Sequence, residues 1–181
     1  MTDDRAVDAA LIARWKGGDQ LAATEIVERH ASALARFAAS SGVRELVDEL
    51  VQDTFVRAFR SLDSFRSDSA LRTWLFTIMK RLILDRLRAE RRQAAVVELE
   101  EGHAVQEYDA LDALVADETA QRVRRAVDTL SPMQREVFLL RVTEGMAYSE
   151  IAKVVGSTEG ACRVHYHNAM RSIKELIGDD A

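Results

Sequence analysis

Between Arg66 and Arg92 the chain places eight Lys or Arg (Arg66, Arg72, Lys80, Arg81, Arg86, Arg88, Arg91 and Arg92) against three acids (Asp68, Asp85 and Glu90). That is a local charge of +5 in a chain whose net charge is −5. Cations gathered this densely suit a polyanion such as a nucleic-acid backbone. Leu71, Trp74, Leu75, Ile78 and Leu82 recur at the three-and-four spacing of one helix face, which must pack into a core. Thr77, Lys80, Arg81, Leu84, Arg88 and Arg91 turn to the other side of that helix. Phe55, Phe59, Phe65, Trp74 and Phe76 are five of the eleven Phe, Trp and Tyr of the chain, crowded around the connection at 64–74. Such rings are core by default, yet a polar loop held between two aromatic-anchored helices can offer pockets to unstacked bases. A basic helix face is equally what solvated surface looks like, and composition leaves both readings open.

Other chemistries find less support. The sequence has no phosphate-binding loop, no paired-His metal motif and no nucleophile elbow. His165 and His167, two apart on a helix, point away from each other and read as surface or phosphate contacts. No catalytic residue, metal or other cofactor is expected.

The elements that must position the basic face are helical. One Pro, eight Gly and almost no alternating β-branched runs leave little material for strands, so the chain reads as all-α. A short helix from Asp8 to Trp15 is stopped by Gly17 and Gly18. A second begins at Asp19 as N-cap and ends at Ser40, Ser41 and Gly42. A third runs from about Arg44 to Leu62 with Leu46, Leu50, Val51, Phe55 and Phe59 as its buried stripe. On its other side Asp48, Gln52, Asp53 and Arg57 read, from spacing alone, as ordinary solvated surface. With the basic helix these make a four-helix unit over residues 1–93.

Residues 94–118 carry eight acids and no Lys or Arg, the composition of a linker. As a flexible coil they would span roughly 25 to 30 Å, and up to about 80 Å when extended. A second unit occupies 119–181. Its first helix ends near Leu130, and Ser131-Pro132-Met133-Gln134 is an N-cap, Pro at the first helical position and a capping-box Gln. Val137, Phe138 and Leu140 bury that helix until Gly145. Tyr148 to Val155, a turn at Gly156, and a longer helix capped by Ser157 follow. In the last helix Ala161, Cys162, Tyr166, Ala169, Met170 and Ile173 face inward. Short helix, glycine turn, longer helix is the helix-turn-helix pattern. A single cysteine excludes an internal disulfide, no apolar run reaches the roughly 18 residues of a membrane span, and the first ten residues lack the regions of a signal peptide. A cytosolic protein without membrane insertion is expected.

Two segments carry a resemblance. DELVQDTFVRAFRSLDSFRSDSALRTWLFTIMKRLILDRLR resembles the minus-10-recognition domain of bacterial sigma factors of the extracytoplasmic-function class. LSPMQREVFLLRVTEGMAYSEIAKVVGSTEGACRVHYHNAMRSIKEL resembles the minus-35-reading domain of the same class. The resemblance implies that Asp48, Gln52, Asp53 and Phe55 bind core RNA polymerase. It assigns Phe65, Arg66, Ser67, Arg72, Thr73, Trp74, Thr77, Lys80, Arg81 and Arg88 to minus-10 DNA. Ser157, Glu159, Gly160, Arg163, Val164, His167, Asn168 and Arg171 would face minus-35 DNA, Arg163 and Asn168 being suited to guanine and adenine edges. It further implies an anti-sigma partner, and a linker lying in the polymerase's RNA exit path; composition alone serves a solubilising tether as well. Arg81 and Ser67 stand where the family usually has Asn and Gly, Ala147 where it has a cap Ser, and His165 and Asn168 where it has basic residues. The last two make the second unit weakly cationic. A sigma-like decoy for an anti-sigma factor lacks its receiver domain here, and a dimeric repressor lacks a dedicated homodimerisation segment.

Overall fold

A computed structural model describes residues 4–65, 69–97 and 118–178; in these, eight α-helices and two single 3-10 turns account for the regular structure. Helix α1 (Asp4–Lys16) ends at Gly17 and Gly18, the latter at φ 92°. Asp19 then works in two directions: one carboxylate oxygen caps α2 (Gln20–Ser40) by accepting from the Leu21 amide at 3.0 Å, and the other pairs with Arg14 at the end of α1. A 3-10 turn, Arg44–Leu46, leads into α3 (Val47–Ser61), and a second, Leu62–Ser64, leaves it. Helix α4 runs over Leu71–Val97, four residues past the expected end of the first unit at 93.

The α4 stripe is wider than its spacing suggests. Leu71, Leu75 and Leu82 are buried as expected, but so are Phe76, Met79 and Ile83, while Trp74 and Ile78 lie half-buried at the margin. The reason is that α4 packs against both α2 and α3. Phe76 meets Phe37 of α2 edge to face at 5.3 Å, and Met79 lies over Thr54 of α3, whose hydroxyl donates to the Leu50 carbonyl.

The second unit comprises α5 (Glu118–Asp128), α6 (Pro132–Val142), α7 (Tyr148–Val155) and α8 (Glu159–Gly178). Ser131 and Gln134 form the expected capping box at the start of α6. Gly156 takes the left-handed conformation, φ 69°, that closes α7. Thr158, not Ser157, caps α8, accepting from the Ala161 amide at 3.2 Å; the Ser157 amide instead closes α7 on the Ala152 carbonyl. At the start of α7 the Glu150 carboxylate accepts from the Ala147 amide at 3.1 Å, half of a capping box that needs no cap serine. Cys162, Ala169 and Ile173 are buried as the spacing predicts.

The two units are not separate. One apolar core runs from Leu34, Phe55 and Met79 of the first into Val137, Leu140, Ile151 and Cys162 of the second, with a smaller cluster of Ala126, Leu130, Phe138, Ala169 and Ile173 beside it. Helix α7 packs on α4, and α6 on α2. Arg135 adds a polar tie. Its guanidinium donates to the Val127 and Leu130 carbonyls at the end of α5 and to the Ser40 carbonyl at the end of α2, where the carbonyls of a helix terminus lack intrahelical donors.

Candidate nucleic-acid interface

On α4 the cations divide into two groups. Arg81 and Arg88 are exposed, Arg88 lying 3.5 Å from Asp85. Lys80 is not: its side chain is 12% exposed, and its ammonium reaches Glu136 of α6 at 2.5 Å. Arg72 pairs with Glu144, which also accepts from Arg36 of α2 at 3.0 Å. Thr73 is 2% exposed and donates to Glu150 of α7 at 3.1 Å. The expected free basic face therefore needs correcting at Lys80, and Thr73 of the minus-10 set that the resemblance implied is likewise covered by the second unit. Thr77 is half-buried and donates to the Thr73 carbonyl.

Burial pushes the Glu144 carboxyl up, but the Arg36 hydrogen bond, the Arg72 charge and the Thr143 hydroxyl outweigh it and hold the group below the usual carboxylate range. Glu136 is less well served, because its second oxygen has no hydrogen-bond partner.

Trp74 packs on Phe65, ring centroids 5.0 Å apart, at the entrance of α4. Beside them opens a cleft of about 250 Å³ lined by Asp8, Ala9 and Ile12 of α1 and by Phe65, Ala70 and Leu71. Asp8, 4% exposed, is anchored there by Arg29 and His30 of α2 at 3.2 and 3.0 Å. Arg66 and Ser67 lie outside the described residues.

On α3, Asp48 and Gln52 are exposed and Asp53 half-buried. Phe55 is a correction to the expected polymerase contacts: at 5% exposure it belongs to the core, stacked on Phe59, so it can only support the helix from behind.

On α8, Glu159, Gly160, Arg163, Val164, His167 and Arg171 are exposed, with Ser157 and Asn168 half-buried at the edge of the same surface. Arg163 is held by Glu159 one turn earlier and lies 4.8 Å from the centre of the Tyr148 ring, a cation–π contact that fixes its direction. Arg171 stands 3.9 Å from Glu175.

Sequence reasoning missed Glu136, Glu144 and Glu150, the carboxylates that meet α4. Only Glu136 left a signal, sitting three residues after Met133 and four before Leu140, in register with an apolar face. Among the described residues no cluster of His, Cys, Asp or Glu could hold a metal ion, and no helix is long and apolar enough to cross a membrane.

A helix-turn-helix with its second helix exposed, tied to a four-helix unit bearing a cationic helix, defines a two-part DNA-binding protein of the all-α class. The comparisons make this specific. Residues 26–93 match the family model "Sigma-70 region 2" and residues 120–173 match "Sigma-70, region 4". The RNA polymerase sigma factor NccH of Alcaligenes xylosoxydans xylosoxydans is 32% identical over 183 residues, covering 96% of each chain. The ECF RNA polymerase sigma-E factor of Escherichia coli (strain K12) is 31% identical over 187 residues, again covering 96% of each. Among solved structures, the sigma factor RpoE bound to the anti-sigma factor NepR from Bartonella quintana superposes with TM-score 0.70 at 26% identity, over 87% of this chain and 98% of that one. CnrH in complex with the cytosolic domain of CnrY gives 0.65 at 31% identity, over 98% and 99%. The chain belongs to the sigma-70 family, within its extracytoplasmic-function class. It directs promoter-specific transcription initiation through RNA polymerase.

Proposed function

We propose that the two units divide the promoter between them, α4 and the cleft beside Phe65 taking the minus-10 element and α8 the minus-35 element. The observation that carries this reading is the exposed α8 surface, with Arg163 aimed by Glu159 and Tyr148, in the unit that matches region 4. Arg163 suits guanine and Asn168 adenine in the major groove. On α4, Arg81 and Arg88 contact the phosphates of the melted strand, joined by Arg72, Thr73 and Lys80 once these are uncovered. Phe65, backed by Trp74, walls the cleft into which a base is turned. Melting then runs on binding free energy: unstacking costs a few kcal/mol, and aromatic or apolar contacts return about 1 to 3 kcal/mol per captured base. Asp48, Gln52 and Asp53 on α3 form the polymerase contact. The chain performs no reaction of its own and works in the cytoplasm. An anti-sigma factor is its regulator, as the anti-sigma factor NepR is the partner bound to the superposed sigma factor RpoE.

The test is transcription in vitro with core polymerase lacking any sigma factor, on a library of genomic promoters. Specific transcripts starting a fixed distance from a shared pair of elements are expected with the chain present and absent without it. Lys80→Glu with Arg88→Glu should abolish them while each unit keeps its helical circular-dichroism signal. Normal transcript yield from that double variant would refute the assignment of the basic face.

A further inference from the structure

Val164 stands on α8 with 58% of its surface exposed. The residues that share its side of the helix, at about 100° per residue, are small or polar: Gly160 one turn before, His167 and Asn168 one turn after, and Arg171 beyond them. Arg163 flanks it. Of the large hydrophobics left exposed among the described residues, Val164 is the one within the set assigned to minus-35 DNA. A valine gains nothing from a phosphate, but the major groove offers one apolar group, the C5 methyl of thymine. We propose that Val164 reads a thymine of the minus-35 element by packing its methyls against that C5 methyl, within two base steps of the pair that Arg163 reads. The inference rests on the assignment of α8 to the minus-35 element.

Three features of α8 support the contact. The first is rigidity. A β-branched side chain on a helix is held in one strongly preferred rotamer, and Arg163 beside it is fixed by Glu159 and by the Tyr148 ring. Both side chains therefore meet DNA with little left to order, which keeps the entropic cost of binding low. Consecutive Cα atoms lie about 3.8 Å apart and bases along a strand about 3.4 Å, so the two contacts fall on the same pair or on near neighbours. The second feature is Gly160, exposed one turn before Val164. A Cβ there would meet nothing within 4 Å, so the fold does not require glycine, and glycine weakens a helix relative to alanine. The gap serves a body arriving from outside: it leaves the helix flat beside Val164, so that a base edge can reach a side chain as short as valine. The third is Asn168. It suits adenine, and every adenine brings a thymine methyl into the same groove on the other strand.

The test uses holoenzyme assembled from the full chain and core polymerase, with a promoter duplex carrying the minus-35 element that the transcription library reveals. Each thymine of that element, on either strand, is replaced in turn by deoxyuridine, which removes the C5 methyl and leaves the hydrogen-bonding edge intact. One replacement should weaken holoenzyme binding about fourfold, the factor for losing one buried methyl group. It should lie within two steps of the pair whose base preference Arg163→Ala relaxes. Val164→Ser removes both γ-methyls at a similar helix propensity; it should lose the same factor on the thymine duplex and nothing more on the uracil duplex. Losses that add, a Val164→Ser holoenzyme that still prefers thymine at that position, or an element with no thymine there overturn the methyl contact. If Arg163→Ala relaxes a base preference while no uracil replacement weakens binding, thymine reading fails and the assignment of α8 stands. If neither Arg163→Ala nor Val164→Ser changes any preference within the minus-35 element, the α8 assignment fails and the thymine contact falls with it.

Discussion

Cys162 and Lys80 show how strongly single residues here depend on what lies over them. The Cys162 side chain is fully covered between α8 and the core. Burial first, and the nearby Glu159 carboxylate second, push its thiol up from the ordinary range. The thiolate is the reactive form, so the native protein should resist a maleimide or disulfide reagent near neutral pH and react promptly only in denaturant. Fast labelling of the folded chain would show that the site opens locally. Lys80 was legible as a cation on a helix, and its spacing correctly put it off the core face of its own unit. Its partner was not legible, because Glu136 lies 56 positions away and the two are joined only by docking of the units.

At the scale of elements, local chemistry set most helix ends. Asp19, Ser131 and Gly156 act where their types predict, since each supplies a hydrogen bond or a backbone conformation that neighbouring residues cannot. Thr158 displaced Ser157 as a cap because adjacent hydroxyls compete for the same amides, and only backbone direction decides between them. Gly156 gives the sharpest test. No neighbour lies within 4 Å of where its Cβ would be, but its φ is +69°, so Gly156→Ala should cost about 1 to 2 kcal/mol through backbone strain alone. Urea unfolding measures this. A substitution without cost would mean that the turn relaxes to another conformation.

The whole molecule adds a dependence on pH. The Glu144 carboxyl is held below its ordinary value by Arg36 of α2 and Arg72 of α4. A depressed carboxyl contributes to the closed form above the ordinary carboxylate pKa and loses that contribution as pH falls through its lowered value. Closure should therefore be constant from neutral pH to about 5 and weaken below about 4. Scattering at low ionic strength should show the radius growing over that acidic range while helical content holds. An unchanged radius down to pH 3 would place the closing free energy in the shared apolar core instead.

The sequence by itself determined the helices, the change to an acidic composition between two units, and the short helix, glycine turn and longer helix of the helix-turn-helix. These follow from contacts within a few turns, where side-chain spacing and capping dominate. Only the tertiary structure decided which positions are open. Phe76 and Met79 were drawn in by α2 and α3, and Thr73 and Lys80 were covered by Glu150 and Glu136. Each of these outcomes joins residues far apart in the chain. Helical periodicity fixes the face on which a side chain leaves its helix, but not which distant surface comes to rest against that face.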